Sequence, residues 1–137
     1  MQPTPYLFFA GDCFEAMSLY AELLGGTVEG VMRNRDARPE DRMPGGDDMV
    51  MNMLVRTDGG TIMGSDAPPE WRSKPQGFRL QLEAASAAEF DRLHAALGKD
   101  ARAVDMPPSE TFWAERFAML TDRFGTPWML NHTGSKA

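Results

Sequence analysis

The chain contains two segments of similar pattern, which indicates that one structural unit has been duplicated. A polar residue followed three positions later by Glu opens each segment, at Asp12 and at Ser86. This spacing is typical of a capping box, in which a short side chain covers the free N–H groups of a helix start and the Glu reaches back. Glycine closes each segment, at Gly25-Gly26 and at Gly98, where a helix commonly ends in a left-handed conformation.

A second pair of related segments follows the predicted helices. Residues 58–63 (DGGTIM) and 122–129 (DRFGTPWM) both combine an Asp-led turn with a run that reaches a methionine. Asp122 is expected to shape its turn by accepting hydrogen bonds from nearby backbone. A duplicated unit of roughly 65 residues predicts two similar halves, and a ligand would naturally bind between them. The duplication constrains the fold and leaves the chemistry open.

Hydrophobic patterning predicts the same order of elements in both halves. Alternating or wholly apolar runs predict strands, and apolar residues spaced three or four apart predict helices. In the first half we predict strands at 6–10, 27–33, 49–57 and 61–65, with a helix at 13–24. In the second half we predict strands at 77–83, 102–106, 115–121 and 127–132, with a helix at 87–97. Residues 34–48 are predicted as a mobile loop, and 133–137 as a disordered tail.

Each half is therefore a strand, a helix and three more strands. One helix cannot cover both faces of a four-stranded sheet, so the uncovered faces must meet another layer. The expected fold is α+β, with two βαβββ repeats that form paired curved sheets around a cleft. We expect a single domain over residues 1–137, with repeats at 4–67 and 77–132 joined by a proline-containing linker at 68–76.

Composition argues against several classes of function. The net charge is -6 and no basic run exceeds two residues, so no nucleic acid partner is expected. No apolar run approaches the ~20 residues of a membrane span, and the first residues lack the pattern of a signal peptide. Cys13 is the single cysteine, and we expect it to be a small buried residue rather than a reactive thiol. These features predict a cytoplasmic protein without a membrane partner.

Four motifs carry a resemblance to a known family: PYLFF at 5–9, IMGSDAP at 62–68, ETFW at 110–113 and DRFGTPWMLN at 122–131. They resemble the PhnB-like branch of the vicinal oxygen chelate superfamily, also labelled 3-demethylubiquinone-9 3-methyltransferase domains. That superfamily contains glyoxalase I, bleomycin resistance proteins and extradiol dioxygenases, and the resemblance implies the fold described above. The methyltransferase label has no support here, because no glycine-rich loop follows a strand to hold a nucleotide-like cofactor. No cofactor is predicted.

The resemblance also implies a divalent metal ion, held by His or Glu from four strands, that chelates two neighbouring substrate oxygens. The flanking motifs place those four positions at Pro5, Met63, Phe78 and Met129. None of these side chains is a good ligand for Mg, Mn or Zn. The two histidines of the chain form no recognised ligand motif. We therefore predict that the protein has no metal site.

The residues left to line a cleft are aromatic, thioether and sparsely polar, as in most small-molecule sites. Other roles remain open. The methionines could fill an irregular core, and Trp113 could be a lid or an anchor at a dimer interface. Arg116 could bind an anionic ligand or pair with Glu110 or Glu115. The predicted ligand-binding residues are Phe8, Asn52, Met63, Phe78, Arg79, Phe112, Trp113, Arg116, Trp128, Met129 and Asn131.

Three hypotheses for function follow. The first is a metal-free binder of a small aromatic or amphipathic metabolite. The second is a lyase or isomerase acting on a carbonyl compound, with Glu110 as general base, because burial beside Phe112 and Trp113 would make this carboxylate more basic. The third is a structural or interaction module without a ligand. A homodimer is also predicted, since Phe112, Trp113 and the edge of the first strand would otherwise expose apolar surface and backbone groups.

Overall fold

The computed structural model describes residues 1–136, and the chain divides between Ser73 and Lys74 into two compact units. Both units have the predicted order of one strand, one helix and three strands. The first contains β1 (Tyr6–Phe9), α1 (Cys13–Leu24), β2 (Thr27–Arg33), β3 (Val50–Thr57) and β4 (Gly60–Asp66). The second contains β5 (Leu80–Glu83), α2 (Ala87–Gly98), β6 (Ala103–Ser109), β7 (Arg116–Thr121) and β8 (Pro127–His132). Short 3-10 turns occupy Asn34–Asp36, Pro39–Asp41, Pro69–Trp71 and Gly134–Lys136.

The two sheets share one topology. Their strand orders are β1-β4-β3-β2 and β5-β8-β7-β6. The first and last strands of each unit pair in parallel, and the other neighbours pair antiparallel. Two mixed four-stranded sheets with two helices confirm the predicted α+β class. In each unit the strand before the helix is therefore an edge strand.

Helix α1 packs on one face of the first sheet, where a glycine permits close approach. Cys13, Met17 and Tyr20 of this helix are fully buried. A Cβ atom at Gly64 on β4 would lie 3.2 Å from the Met17 sulfur and 3.3 Å from the Leu7 carbonyl oxygen. The absence of a side chain at Gly64 thus allows the helix to rest directly on the strand.

Helix α2 packs on one face of the second sheet in the same way. Phe90, Leu93 and Leu97 recur at helical spacing and are all buried. They cover the face that carries Trp128 and Leu130 of β8, which are also buried. In both sheets the opposite face has no helix of its own unit, so it is available to build a site.

The two helices begin differently, although the sequence predicts the same cap for both. Ser86 accepts a hydrogen bond from the backbone N–H of Glu89 at 3.1 Å, as a capping box requires. Asp12 makes no such cap bond. Instead Asp66, at the end of β4, accepts from the N–H groups of Gly11 at 2.9 Å and Cys13 at 3.0 Å. The prediction for Asp12 is wrong because a residue distant in sequence takes its place.

The helix ends also differ. Gly25 closes α1 in the left-handed conformation, with φ 65°, as predicted. Gly98 is the last residue of α2, and the left-handed residue beyond it is Asp100, with φ 55°. Aspartate tolerates this conformation better than most residues because its short polar side chain can bond locally.

Three predicted irregular or terminal segments are more regular than expected. Residues 34–48 are organised around buried Asn34, whose Nδ2 donates to the carbonyls of Met43 at 2.8 Å and Gly46 at 2.7 Å. Strand β6 continues through Pro107 and Pro108, which an edge strand tolerates because its outer N–H groups need no partner. The predicted disordered tail forms a 3-10 turn at 134–136, while Ala137 lies outside the described residues.

Candidate functional site

The face of the second sheet opposite α2 carries a row of aligned side chains. Strand pairing places Gln81 of β5 beside Met129 of β8, Met129 beside Met119 of β7, and Met119 beside Met106 of β6. Because side chains point alternately to the two faces of a strand, the row shares one face of the sheet. Three thioethers and one amide thus cross the whole width of the sheet.

A pocket of about 490 Å³ lies on this face. Beyond the methionine row, Phe117 of β7 and Asn131 of β8 pair directly. Trp113, in the loop before β7, stands edge-on to Phe117 with ring centroids 5.2 Å apart. This mostly apolar lining with few polar groups is the usual form of a small-molecule site. The lining residues are Gln81, Met106, Trp113, Phe117, Met119, Met129 and Asn131.

Buried Asn131 organises the polar end of the pocket. Its Oδ1 accepts a hydrogen bond from the indole Nε1–H of Trp113 at 3.2 Å. Its Nδ2 donates to Glu83 Oε1 at 2.7 Å and to Thr133 Oγ1 at 3.0 Å. An indole N–H can only donate and an ionised carboxylate can only accept, so these two partners fix the orientation of the amide.

Glu83 is held in its ionised form at the rim of this network. Burial acts to raise the pKa of Glu83, but hydrogen bonds from the Thr133 N–H, Asn131 and the Thr133 hydroxyl, together with His132, outweigh it and lower the pKa below its usual value. The two bonds from Thr133 reach Oε2 at 3.0 and 3.1 Å. Since residue Glu83 is exposed, its negative charge is accessible from solvent.

Arg79 lies at the other end of this face, where its charge is already neutralised. Its Nη2 is 3.1 Å from Asp105 Oδ2, and the hydroxyl of Thr121 donates to the same oxygen at 3.0 Å. Its Nη1 donates to the carbonyls of Leu120 at 3.2 Å and Trp128 at 3.3 Å. The arrangement braces the sheet across β7 and β8. The sequence predicted Arg79 as a ligand-binding residue, but Arg79 does not line the pocket.

Two predicted ligand-binding residues lie on the helix side of the second sheet. Trp128 is 1% exposed, and its Nε1–H donates to Asp122 Oδ2 at 2.8 Å. Arg116 forms a salt bridge with Asp91 of α2. The physical reason is strand alternation, since residues 116 and 128 point away from the face that carries Phe117 and Met129. The predictions for Trp128 and Arg116 as pocket residues are wrong.

Two further predicted residues, Phe78 and Phe112, are exposed and do not line the pocket. Phe78 precedes β5 rather than lying within it. Phe112 is 88% exposed and packs its ring edge-on against Trp113, with centroids 4.9 Å apart. Phe112 thereby packs against the indole of Trp113.

The remaining predicted residues meet on the corresponding face of the first sheet. Phe8, Asn52 and Met63 come from β1, β3 and β4, and Tyr6 joins them. Tyr6 pairs with Met63 in the parallel ladder, its hydroxyl donates to Asn52 Oδ1 at 3.0 Å, and its ring centroid lies 5.1 Å from that of Phe8. The first unit thus carries a smaller aromatic and thioether surface of its own.

The structure does not support the reason for assigning Glu110 as a general base. Its side chain is 70% exposed, and Oε1 accepts from Lys136 Nζ at 3.0 Å. The expected burial beside Phe112 and Trp113 is wrong, because Glu110 points toward the tail of the chain. A catalytic role for Glu110 stays a prediction without that support.

Sequence reasoning missed four of the pocket residues: Gln81, Met106, Phe117 and Met119. A signal was present, because residues 117, 119, 129 and 131 alternate along two strands that the sequence predicts as a hairpin. Because side chains alternate between the two faces of a strand, Met129 and Asn131 belong to one face and Trp128 to the other. Gln81 and Met106 lie on the two outer strands, and their positions depend on the pairing register.

Comparison with known protein families identifies the superfamily to which this fold belongs. The model of the Glyoxalase/Bleomycin resistance protein/Dioxygenase superfamily matches residues 3–130. The chain belongs to this superfamily. Within it, the chain is similar to Protein YjdN of Escherichia coli (strain K12), with 38% identity over 96% of this chain and 95% of that protein.

Solved structures of similar proteins agree with this fold. Protein PA1353 from Pseudomonas aeruginosa is 38% identical, with a TM-score of 0.84 over 96% of this chain and 97% of that one. A Bacillus cereus PhnB protein, described as a 3-demethylubiquinone-9 3-methyltransferase, has a TM-score of 0.81 over 96% and 99% of the two chains at 24% identity. The chain is thus a YjdN-like protein of the glyoxalase superfamily, and the PhnB structure agrees with it in fold.

The metal ion associated with the glyoxalase superfamily does not fit the residues present. Strand pairing sets Tyr6, rather than Pro5, beside Met63 in the first unit, and Gln81, rather than Phe78, beside Met129 in the second. The phenol and thioether of the first pair and the amide and thioether of the second are all poor ligands for a hard divalent ion. Within residues 1–136, moreover, no three His, Cys, Asp or Glu side chains are grouped so as to hold a metal.

Among residues 1–136, no helix is long and apolar enough to cross a membrane.

Proposed function

We propose that this glyoxalase-superfamily protein binds a small aromatic or amphipathic metabolite without a metal ion, at the pocket of the second unit. The observation that carries the proposal is the 490 Å³ pocket, whose floor is the methionine row and whose edge is Trp113. Thioethers adapt to irregular apolar shapes and make favourable contacts with aromatic rings. The indole offers a flat surface on which a ring can stack.

The position of Trp113 supports a binding role. Its ring is held by the hydrogen bond to Asn131 Oδ1 and by edge-on contacts with Phe112 and Phe117. The residue is nevertheless 42% exposed. An aromatic side chain that is fixed in place before the ligand arrives loses little entropy on binding.

A thermal-shift and native mass spectrometry screen of aromatic and amphipathic metabolites tests this proposal. A ligand present at a hundred times its Kd should add about 2.7 kcal/mol to the free energy of unfolding and raise the Tm by several degrees. Met119→Lys should abolish the shift, because it places a charge in the centre of the apolar row. Val104→Lys is the matched control, since Val104 lies on neighbouring β6 and is exposed outside the pocket. A screen without any ligand, or equal loss in both variants, would contradict the proposal.

The metal-free part has its own test. Because the four superfamily positions carry phenol, amide and thioether groups, Ni, Co, Mn or Zn ions should leave the Tm nearly unchanged. The comparison is made on chelator-treated protein with each ion added singly. An ion that raises the Tm as much as a tight organic ligand would overturn this part while leaving ligand binding intact.

We also propose that the chain acts as a cytoplasmic homodimer. Support comes from the exposed aromatic pair Phe112 and Trp113, and from Phe8, which is 62% exposed. Exposed apolar patches of this kind commonly mark interaction surfaces. A single buried cysteine suits a reducing compartment.

A further inference from the structure

The polar end of the pocket presents hydrogen-bond acceptors, because its donors are already engaged. Both hydrogens on Asn131 Nδ2 are used, toward Glu83 at 2.7 Å and Thr133 at 3.0 Å. The indole hydrogen of Trp113 is used toward Asn131 Oδ1. The hydroxyl hydrogen of Thr133 is used toward Glu83 Oε2. Among these four residues, what remains is the second lone pair of Asn131 Oδ1 and the carboxylate oxygens of Glu83. The amide of Gln81 belongs to the methionine row and not to this group.

The hydrogen-bond partners of the Asn131 amide determine which of its two ends is the oxygen and which is the nitrogen. If the amide were reversed, its NH2 group would face the indole N–H, donor against donor. Its oxygen would then face the carboxylate of Glu83, acceptor against acceptor. The reversal would cost the buried Asn131 amide its hydrogen bonds to Trp113 and to Glu83. The carbonyl of Asn131 is therefore fixed on the Trp113 side, at the pocket.

The charges around the pocket favour the same kind of ligand. Glu83 contributes an exposed negative charge beside Asn131. Arg79, at the other end of the face, is neutralised by Asp105 and by two backbone carbonyls. An anionic ligand would lose water and meet acceptors and a negative charge, whereas an amine would meet both as partners.

We infer that this pocket selects ligands with an apolar or aromatic body and a hydrogen-bond-donating head group, an amine above all, bound to Asn131 Oδ1 beside Glu83, and that it rejects carboxylates. The inference rests on the proposed function and names the class of ligand that this site takes. Glu83 holds the Asn131 amide with its oxygen on the Trp113 side, and it also adds a negative charge beside that oxygen.

The test uses four probes with one ring system and different heads: 2-naphthylmethylamine, 2-naphthalenemethanol, 2-methylnaphthalene and 2-naphthoic acid. Affinities are measured by calorimetry on the full chain. NMR follows the Trp113 indole N–H and the Asn131 side-chain amide. The amine should bind about tenfold more tightly than the hydrocarbon, as expected for a charge-assisted hydrogen bond. The alcohol should lie between them, and the carboxylate should bind most weakly.

Glu83→Gln should reduce the advantage of the amine over the alcohol, because the charge beside Asn131 is removed. Glu115→Gln is the matched control, since Glu115 also accepts hydrogen bonds from the tail, at Ser135. This control should keep the wild-type order of affinities.

Each outcome decides a different point. Equal binding of all four probes would overturn the inference and leave the proposed apolar pocket standing. A carboxylate that binds as tightly as the amine would overturn it as well. An amine preference that survives Glu83→Gln unchanged would overturn the role of Glu83. No binding by any probe would overturn both the inference and the proposed function. The comparison of the four probes uses wild-type protein, so the inference can be tested even if a variant does not fold.

Discussion

Asp66 is a buried residue that caps the start of α1, a role that the sequence predicts for Asp12. Its Oδ1 accepts from Gly11 and Cys13 at the start of α1, and its Oδ2 accepts from the Val50 N–H at 2.9 Å. One carboxylate thus joins the helix start, β3 and β4. A capping motif identifies a helix start correctly even when the cap itself comes from elsewhere, which explains why the predicted helix bounds hold while the predicted contact fails.

Asp66→Asn should lower the free energy of unfolding by about 2 kcal/mol, because an amide turns one accepting oxygen into a donor that faces backbone N–H and removes the charge that strengthens the remaining bonds. Asp12→Asn is the matched control, since Asp12 makes no cap bond to the helix and accepts a longer 3.3 Å bond from the Ala10 N–H. Urea unfolding of both variants measures the difference. Equal destabilisation by the two substitutions would show that Asp66 is not the effective cap.

Cys13 should be inert in the folded protein. Burial raises the pKa of its thiol well above the usual value, the negative charges of Asp66 and Asp12 add to this effect, and Arg33 opposes it. The thiolate is the reactive form, so an aromatic disulfide reagent should label Cys13 only as fast as the chain opens. Labelling followed across a urea series checks this. A rapid, urea-independent reaction in native protein would contradict it.

At the scale of elements, the tail after β8 holds three carboxylates. Thr133 donates to Glu83, Ser135 donates to Glu115 Oε1 at 3.1 and 2.7 Å, and Lys136 pairs with Glu110. Gly134 permits the turn with φ 58°, and a Cβ atom there would lie 2.2 Å from the Glu115 carboxyl group. The prediction of disorder failed because these tail residues are polar and their partners lie distant in sequence.

The docking of the tail should depend on pH. The pKa of Glu115 is lowered chiefly by hydrogen bonds from Ser135. Burial acts to raise the pKa of Glu83, but hydrogen bonds from Thr133 and Asn131 outweigh burial and lower it. Since the folded values lie below the ordinary one, this stabilisation is present at neutral pH and is lost as pH falls below 4.5, the ordinary value. Hydrogen exchange at the Thr133 and Ser135 amides, corrected for intrinsic rate, should show protection at pH 6 that declines toward pH 3.

Two variants separate the contributions to this transition. Glu115→Gln should remove the part of the pH dependence seen at Ser135. Glu110→Gln should leave it, because within residues 133–136 Glu110 bonds to the Lys136 side chain and not to a backbone amide. Protection that does not change between pH 6 and pH 3 would show that these carboxylates do not hold the tail.

The fold was accessible from sequence because its determinants are local and occur twice. The bounds predicted for α1, β2 and β8 are those of the structure. The site was less accessible because it depends on which strands pair and in what register. Met129 and Asn131 were found through their motif, while Trp128 was wrongly added from the same motif. Neighbouring residues in a strand point to opposite faces of the sheet. A selection based on residue type alone ignores this and therefore included Trp128 together with Met129.

At the scale of the whole molecule, the predicted homodimer has a simple measurement. Sedimentation equilibrium at micromolar concentration should give about twice the chain mass of 15.2 kDa. Phe112→Ser tests the exposed aromatic pair, and Val104→Ser is a control at an exposed apolar residue on β6. If Phe112 contributes to the interface, only the first substitution should weaken association. A wild-type chain that sediments at its own mass would contradict the dimer.

The different caps of the two helices also set an order of events during synthesis and folding. Ser86 lies three residues from the N–H that it caps, so α2 can be capped as soon as its first turn exists. Asp66 lies 53 residues beyond Cys13, and a contact across such a loop carries a much larger closure entropy. The half of the chain that leaves the ribosome first must therefore wait for its last strand before its helix start is complete, whereas the later half can fix its helix start at once.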